Sequence, residues 1–324
     1  MSDLSQQNKL TDTPVLEVTK ASFLAIFVDR GRVRQQEMGL TQSGPMDEYA
    51  FLWANKLLGN DQNAACIEIS FGQFALRALH PCQLAMTGAN FHARLNKQPI
   101  DNWQTLLLKP GDELVFQGPK MQGTRAYLAI KGGLECPTPF GSACTVKRER
   151  LGGLNQGEAL TRGDQLAAKV PQTQSSAFNI SVCPTLIRHY DNHEAIVCRF
   201  IPAYQWPLFS TAAQQQFLRQ EYRISSQSDR MGFRLSGEKL QTYNGGIISE
   251  GIALGAIQVP PDGQPIILMR DRQTIGGYPK LGTVLSTDLD KIAQAMPGQK
   301  VRFQPSDINT AYRERLQREQ FFGA

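Results

Sequence analysis

The sequence predicts a mainly β fold, built as barrels or sandwiches and interrupted by a few short helices. Short apolar or alternating segments dominate the chain after residue 13, and turn residues separate them, as in KPGD at 109–112 and MPGQ at 296–299. This spacing is typical of β architectures and differs from a Rossmann sheet, whose strands alternate with longer helices. The 324 residues suffice for two domains.

The local patterns place the elements. Strands are expected at 23–28, 66–69, 84–86, 105–108, 113–116, 126–130, 196–201, 246–249, 255–259, 266–269 and 300–303. A helix is expected at 45–60, because this segment opens with proline and acidic residues and closes with Gly-Asn. Shorter helices are expected at 211–222 and 287–295. Ser306 is the expected cap of a final helix at 307–321.

The organisation follows from these elements. We expect a disordered tail at 1–13, an N-terminal β module at 14–170, a linker at 171–194, a C-terminal β module at 195–305 and a C-terminal helix at 306–324. The polar stretch VPQTQSS marks the start of the linker. QSGPM in the first half matches QSDRM in the second, which indicates either an internal duplication or a coincidence between turn-rich segments.

Composition and missing motifs narrow the function. The net charge is 34 − 29 = +5 without a basic stripe, which does not indicate nucleic-acid binding. No apolar run is long enough to cross a membrane. Six scattered cysteines and a polar start without a signal core predict reduced thiols in the cytoplasm. P-loop, GxGxxG, GxSxG and biotin-carrier motifs are missing, and His189 and His193 lack the partners of a metal site, so none is predicted.

The densest group of polar residues lies between Ser225 and Pro279. Glu250, Asp271 and Arg272 follow apolar segments at expected strand ends, where carboxylates and guanidiniums act as acid, base or anion ligand. We therefore expect these three to be catalytic. The expected substrate-binding residues of the same region are Asp229, Arg230, Gln258, Gln264, Thr274 and Tyr278. The alternative is that Asp229–Arg230 and Asp271–Arg272 are structural ion pairs and that the glycines only make turns.

A second candidate segment, GLTQSGPMD, precedes the first helix. Ser43 and Asp47 would stand at the helix N-terminus, where hydroxyl and backbone N–H groups bind anions. We expect both residues to contact substrate. The competing interpretation, which we favour for this segment, is plain capping of the helix by Ser43 or Asp47.

Several blocks of the chain resemble one family. They are DRGR (29–32), SGPMD (43–47), AACIEISFG (64–72), AYLAIKGGL (126–134), SDRMGFRL (228–235), GAIQVPPDGQPIILM (255–269) and DRQTIGGYPK (271–280). They are similar to the KipA family, whose members include biotin-dependent carboxyltransferase subdomain A/B proteins, allophanate hydrolase subunit 2 and one of the 5-oxoprolinase subunits. The resemblance spans residues 23–304. One departure is IPAYQ at 201–205, where members often read LPGPQ, so the loop loses a glycine.

The resemblance implies two cyclophilin-like β-barrel modules and a KipI-type partner, with a third LamB/YcsF-type subunit in 5-oxoprolinases. It implies a subunit, inactive alone, of an ATP-dependent enzyme that opens 5-oxo-L-proline to L-glutamate, with ATP bound somewhere in the complex. One alternative is a carboxyltransferase subunit of a urea carboxylase-like enzyme, which would use biotin. Another is a regulatory antagonist of a KipI-type kinase inhibitor, for which Glu250 and Asp271 would be dispensable.

Overall fold

The computed structural model describes residues 13–169, 179–241 and 247–323. The chain divides into two compact units. The first unit comprises Met1–Gly31, Ala50–Lys120 and Arg125–Arg188, and the second comprises Arg32–Tyr49, Met121–Thr124 and His189–Ala324. The expected boundaries at 14–170 and 195–305 stay a prediction, and they did not anticipate that residues 32–49 group with the second unit. The expected tail up to residue 12 and the linker up to residue 178 lie outside the described residues.

The first unit contains eleven described strands, most of them short. They are β1 (Pro14–Lys20), β2 (Leu24–Val28), β3 (Cys66–Ser70), β4 (Phe74–Ala78), β5 (Cys82–Gly88), β6 (Arg94–Leu95), β7 (Gln98–Pro99), β8 (Gln104–Leu108), β9 (Glu113–Phe116), β10 (Arg125–Ile130) and β11 (Gln165–Ala167).

These strands form two antiparallel sheets around one core. One sheet has the order β11-β1-β4-β9-β6-β7, and the other has the order β2-β3-β10-β5-β8. Alternate residues of both sheets, such as Leu76 of β4 and Leu128 of β10, belong to a single buried apolar cluster. This agrees with the period of two in a strand, which sends every second side chain to the same face.

Helix α1 (Glu48–Leu58) confirms the first expected helix. The division between the two units falls within it, after Tyr49. The helix ends in the left-handed conformation at Gly59, where φ is 63°. The Asn60 N–H then donates to the Asn55 carbonyl at 3.0 Å, so the Gly-Asn signal terminates the helix as predicted.

The second unit contains nine described strands and three further helices. The strands are β12 (Ile196–Pro202), β13 (Tyr222–Ile224), β14 (Gly232–Ser236), β15 (Glu250–Gly251), β16 (Ala256–Gln258), β17 (Ile266–Leu268), β18 (Ile275–Gly276), β19 (Lys280–Val284) and β20 (Lys300–Pro305). The helices are α2 (Thr211–Arg219), α3 (Ser286–Ala293) and α4 (Ile308–Phe322).

Seven of these strands form a closed barrel in the order β12-β19-β16-β17-β14-β13-β20. The barrel closes through parallel pairing of β12 with β20, in which Ile196 lies opposite Val301. The apolar core of this unit contains an aromatic cluster, in which Phe217 of α2 stacks on Phe303 of β20 with ring centroids 4.5 Å apart. The mainly β prediction is therefore confirmed, and the second unit is a closed barrel. The remaining strands, β15 and β18, form a two-stranded sheet that pairs Glu250 with Gly276.

Most of the expected elements are present, with two corrections. Every expected strand except 246–249 overlaps an observed one. Residue 246 lies outside the described residues, and 247–249 are not in a strand, because pairing starts at Glu250. The cap of the last helix is Asp307, not Ser306. Its carboxylate accepts from the N–H groups of Asn309 and Thr310, which a side chain one position earlier would not reach in this register.

Helix α4 is held by ion pairs. Arg199 on β12 donates to the carboxylates of Asp288 and Glu314, with 2.9 Å from Nη2 to each. Arg318 donates to Asp290 at 2.6 Å. The hydrogen bonds from Arg199 are the main cause that lowers the pKa of Glu314. Of the helices in the described residues, none has the length and hydrophobicity to cross a bilayer.

Candidate functional site

Arg230 and Asp271 form a buried ion pair in the second unit, on the segments that follow β13 and β17. Arg230 Nε lies 2.9 Å from Oδ2 of Asp271, and Nη2 lies 3.1 Å from Oδ1, so the contact is bidentate. Ser43 Oγ donates to the same Oδ1 at 2.7 Å. Arg230 Nη2 also donates to the Gly44 carbonyl at 2.7 Å. We call Ser43, Arg230 and Asp271 the Arg230 cluster.

The burial and hydrogen bonds of the Arg230 cluster indicate a structural role. The side chain of Asp271 is 14% exposed, and both of its oxygens accept hydrogen bonds from buried donors, so water has little access to this carboxylate. Ser43 is fully buried and has a φ of 59°, in the left-handed region that serine rarely adopts. The geometry therefore favours a structural ion pair for Asp271, but its partner is Arg230 and not the adjacent Arg272 of the alternative drawn from the sequence.

Arg272 is a buried cation that forms no ion pair with the described residues. Its Nε donates to the Ile252 carbonyl at 3.1 Å and its Nη1 to the Met269 carbonyl at 3.3 Å. Burial, with a smaller contribution from Arg270, lowers its pKa to about 10, against the attraction of Asp271. The group is still charged at pH 7, and a buried guanidinium bound only to carbonyls retains affinity for an anion.

Glu250 lies in a second group of polar residues, which we call the Glu250 cluster: Tyr204, Gln205, Glu250 and Lys280. Lys280 Nζ and Gln205 Nε2 both donate to Oε1 of Glu250, the latter at 2.9 Å. Tyr204 OH donates to the other oxygen, Oε2. Gln205 is itself fixed, because its Oε1 accepts from the Lys280 backbone N–H at 2.7 Å.

The electrostatics of the Glu250 cluster keep the carboxylate ionised. The Lys280 ammonium and then the Tyr204 hydroxyl lower the pKa of Glu250. The same contact raises the pKa of Tyr204, because ionising the phenol beside a carboxylate is unfavourable. In contrast to Asp271, the side chain of Glu250 is 32% exposed, so its carboxylate reaches solvent.

Gln258 lies beside this cluster and has an unused donor. It is 2% exposed, and its Nε2 has no hydrogen-bond partner among the described residues. A Cβ added to Gly276 would lie 3.1 Å from this Nε2 and 2.6 Å from Cδ1 of Ile252. Gly276 pairs with Glu250, so the small residue brings Gln258, Ile252 and the Glu250 cluster close together.

The other residues expected from the sequence have local partners. Thr274 is half-buried, and its carbonyl accepts from Ile252 N–H at 3.0 Å; Tyr278 is 44% exposed. Three further expected binding residues make hydrogen bonds within the protein, and their role in binding stays a prediction. Asp47 is buried and accepts from Tyr190 OH and Gln294 Nε2, Asp229 accepts from the N–H groups of Met231 and Gly232, and Gln264 bonds both backbone groups of Gly237.

Sequence reasoning missed three members of the site. Lys280 ends the block DRQTIGGYPK, but a lysine after Pro279 carries no local sign of burial. Tyr204 and Gln205 lie in IPAYQ, the segment that departs from the family pattern. Among the described residues, no group of three or more His, Cys, Asp and Glu side chains could hold a metal ion.

The comparisons with known proteins assign the family. Residues 38–305 match the model of the carboxyltransferase domain, subdomain A and B, and the chain belongs to this family. It is 33% identical over 309 residues to a 5-oxoprolinase subunit of Escherichia coli, a match that covers 95% of this chain and 96% of the relative. The corresponding 5-oxoprolinase subunit of Haemophilus influenzae is 31% identical to this chain over 306 residues. That match covers 94% of this chain and 96% of the relative. The family expected from the quoted blocks is confirmed.

Solved structures show the same fold inside longer chains. The crystal structure of the K. lactis urea amidolyase matches with a TM-score of 0.88 and 25% identity, covering 96% of this chain and 20% of that chain. The crystal structure of TTHA0988 matches with a TM-score of 0.80 and 32% identity, covering 91% of this chain and 57% of that chain. This chain therefore corresponds to one part of each of these larger proteins.

Proposed function

We propose that this chain is a subunit of an ATP-dependent 5-oxoprolinase that opens 5-oxo-L-proline to L-glutamate. The observation that carries the proposal is the match with the 5-oxoprolinase subunit of Escherichia coli over 95% of this chain and 96% of that protein. The urea amidolyase of Lachancea kluyveri is 30% identical, but the match covers 16% of it. The 5-oxoprolinase subunit, which the match covers almost in full, is therefore the better counterpart.

The Glu250 cluster suits the chemistry of the proposed reaction. An unstrained five-membered lactam resists water at neutral pH, and ATP would supply activation by phosphorylating the amide oxygen. Glu250 is ionised and reaches solvent, so we assign it the role of orienting the attacking water. Arg272 and Lys280 are buried cations that can bind the substrate carboxylate or a phosphate. Gln258 offers a free amide N–H to a carbonyl oxygen.

The proposed complex contains a KipI-type subunit and a LamB/YcsF-type subunit, and we expect this chain to be inactive without them. ATP is assigned to the complex and not to a site in this chain. The six cysteines are free, and five of them are buried, which suits the reducing cytoplasm where we place the complex.

The proposal is tested by reconstitution. The chain would be co-expressed with the KipI-type and LamB/YcsF-type proteins of its own cells, and glutamate and ADP release from 5-oxo-L-proline and ATP would be measured. Glu250→Gln should reduce turnover about 100-fold while the complex still assembles. Glu319→Gln is the matched control, because Glu319 pairs with Arg315 on α4 at 2.8 Å. An assembled wild-type complex that releases no glutamate would contradict the proposal.

A carboxyltransferase is the second candidate, favoured by the family to which the chain belongs and by its likeness to the K. lactis urea amidolyase. In that case the chain would copurify with a biotinylated carboxylase, and carboxylation of urea would require biotin. A third candidate is a regulatory antagonist of a KipI-type kinase inhibitor. It predicts that Glu250→Gln leaves partner binding and phenotype unchanged.

A further inference from the structure

A tight turn follows strand β12 and presents two side chains to Glu250. The Trp206 N–H donates to the Ala203 carbonyl at 2.9 Å, which closes a four-residue turn. Gln205 has φ −86° and ψ −4°, the values of the third residue of a type I turn. Tyr204 and Gln205 are therefore the two central residues. Tyr204 is 76% exposed, whereas Gln205 is buried.

The two turn residues hold different oxygens of the same carboxylate. Gln205 Nε2 donates to Oε1 of Glu250, and Lys280 Nζ donates to that oxygen as well. Within the described part of the chain, Tyr204 OH is the one donor to Oε2. The Tyr204 oxygen also accepts from Gln205 Nε2 at 2.8 Å, so the hydroxyl is fixed from two sides.

The hydroxyl of Tyr204 decides the orientation of the carboxylate. The last torsion of a glutamate side chain is broad, because it joins a tetrahedral carbon to a planar group. With donors on Oε1 alone, the carboxylate of Glu250 could swing about that torsion. The ring of Tyr204 is largely exposed, so it contributes little to the core. We propose that Tyr204 is a positioning residue, whose hydroxyl holds the carboxylate of Glu250 in the orientation that directs the attacking water. This inference rests on the proposed function.

The first test measures the effect of the Tyr204 hydroxyl on the Glu250 carboxylate and does not require an active complex. Tyr204→Phe removes the hydroxyl and keeps the ring. The carboxyl pKa of Glu250 would be followed by NMR in the full chain labelled with [5-¹³C]glutamate, with the resonance assigned through Glu250→Gln. Since a hydrogen bond to the charged form stabilises it, the pKa should rise by roughly half a unit to one unit in Tyr204→Phe.

Tyr312→Phe is the matched control for this titration, because Tyr312 is 67% exposed on α4. It should leave the pKa of Glu250 unchanged. An unchanged pKa of Glu250 in Tyr204→Phe would overturn the inference.

The second test measures the consequence in the assembled complex. Tyr204→Phe should lower kcat about tenfold with KM within about twofold, and the acid limb of the kcat profile should move to higher pH. A merely structural role would lower Tm and leave the acid limb in place, which would count against the inference. A wild-type complex without turnover would reject the proposed function, and the NMR titration would still decide whether Tyr204 holds Glu250.

Discussion

The buried ammonium of Lys280 pairs with the carboxylate of Glu250, whose side chain is a third exposed. The exposed fractions are 8% for the lysine side chain and 32% for the glutamate side chain. Lysine is seldom buried unless it is paired, so the carboxylate compensates the cation from the solvent side. The pair therefore combines a fixed positive charge with an ionised group that water can reach.

Replacing Lys280 should separate function from stability. Lys280→Met removes the main group that lowers the pKa of Glu250, so that pKa should rise towards its usual value. We expect kcat/KM of the complex to fall about 100-fold and Tm to change little, because Glu250 can be solvated. Lys300→Met is the control, since Lys300 pairs with Glu221 and is 45% exposed. Full activity in Lys280→Met would contradict the assigned role.

Neutralising Asp271 should destabilise the protein more than neutralising Glu250. Asp271→Asn removes the carboxylate that pairs with the buried guanidinium of Arg230, and the free energy of unfolding should fall by about 3 kcal/mol. Glu250→Gln should cost less, about 1 kcal/mol, although it also removes the carboxylate beside a buried cation. The side chain of Glu250 is 32% exposed against 14% for Asp271, so water can solvate the Lys280 ammonium from that side. Urea denaturation of both variants measures the difference. Equal losses would mean that Asp271 is not the structural member of the pair.

The two-stranded sheet of β15 and β18 contains two glycines, Gly251 and Gly276, whose surroundings differ. In Gly276→Ala the new Cβ would lie 2.6 Å from Ile252 Cδ1 and 3.1 Å from Gln258 Nε2, so both side chains must move. We expect lower turnover and a stability loss of about 1–2 kcal/mol. Gly251→Ala is the control, because a Cβ there meets nothing within 4 Å. Similar turnover in the two variants would argue against a site beside Gly276.

The attachment of α4 should depend on pH through Glu314. Its pKa is lowered below the usual 4.5, mainly by Arg199, so the stabilisation is complete above pH 4.5 and is lost as the pH falls through the lowered pKa. Glu314→Gln should therefore reduce the free energy of unfolding by about 1–2 kcal/mol at pH 7. The difference from wild type should shrink below pH 4.5.

Thermal or urea unfolding across this pH range gives the measurement. The exposed Glu238 provides the control variant, Glu238→Gln, which should show no such pH-dependent difference. If the difference in free energy of unfolding between Glu314→Gln and wild type stayed constant down to pH 3, the charge of Glu314 would not be the source of the stabilisation.

The fold was predictable because its signals are local. Alternation in β20, where Val301 and Phe303 are buried and Arg302 is exposed, and the Gly59-Asn60 helix stop can both be read from a few adjacent residues. The Glu250 cluster was only partly predictable. Glu250 and Gln258 stood out as polar residues at strand ends, whereas Lys280 and Tyr204 join them through barrel pairing and a turn that connect distant segments.

The difference between local and distant contacts also explains why the sequence led us to expect a catalytic role for Asp271. A carboxylate followed by Arg272 at a strand end has the sequence appearance of a catalytic pair. Its actual partners, Arg230 and Ser43, lie 41 and 228 positions away in the chain. Nothing in the sequence around residue 271 distinguishes a carboxylate occupied by such distant donors from one that is open to solvent.

The membership of residues 32–49 in the second unit has a consequence for protein engineering. This segment supplies Met46 to the apolar core of the barrel unit and Ser43 to the Arg230 cluster. A gene divided between residues 178 and 189 would therefore not separate the two units, because residues 32–49 of the second unit would stay on the upstream fragment. The downstream fragment would lack Met46 in its core and would lose the contacts that Ser43 and Gly44 make with Asp271 and Arg230. Two half-genes could restore function only by complementation, or after residues 32–49 had been grafted onto the second half.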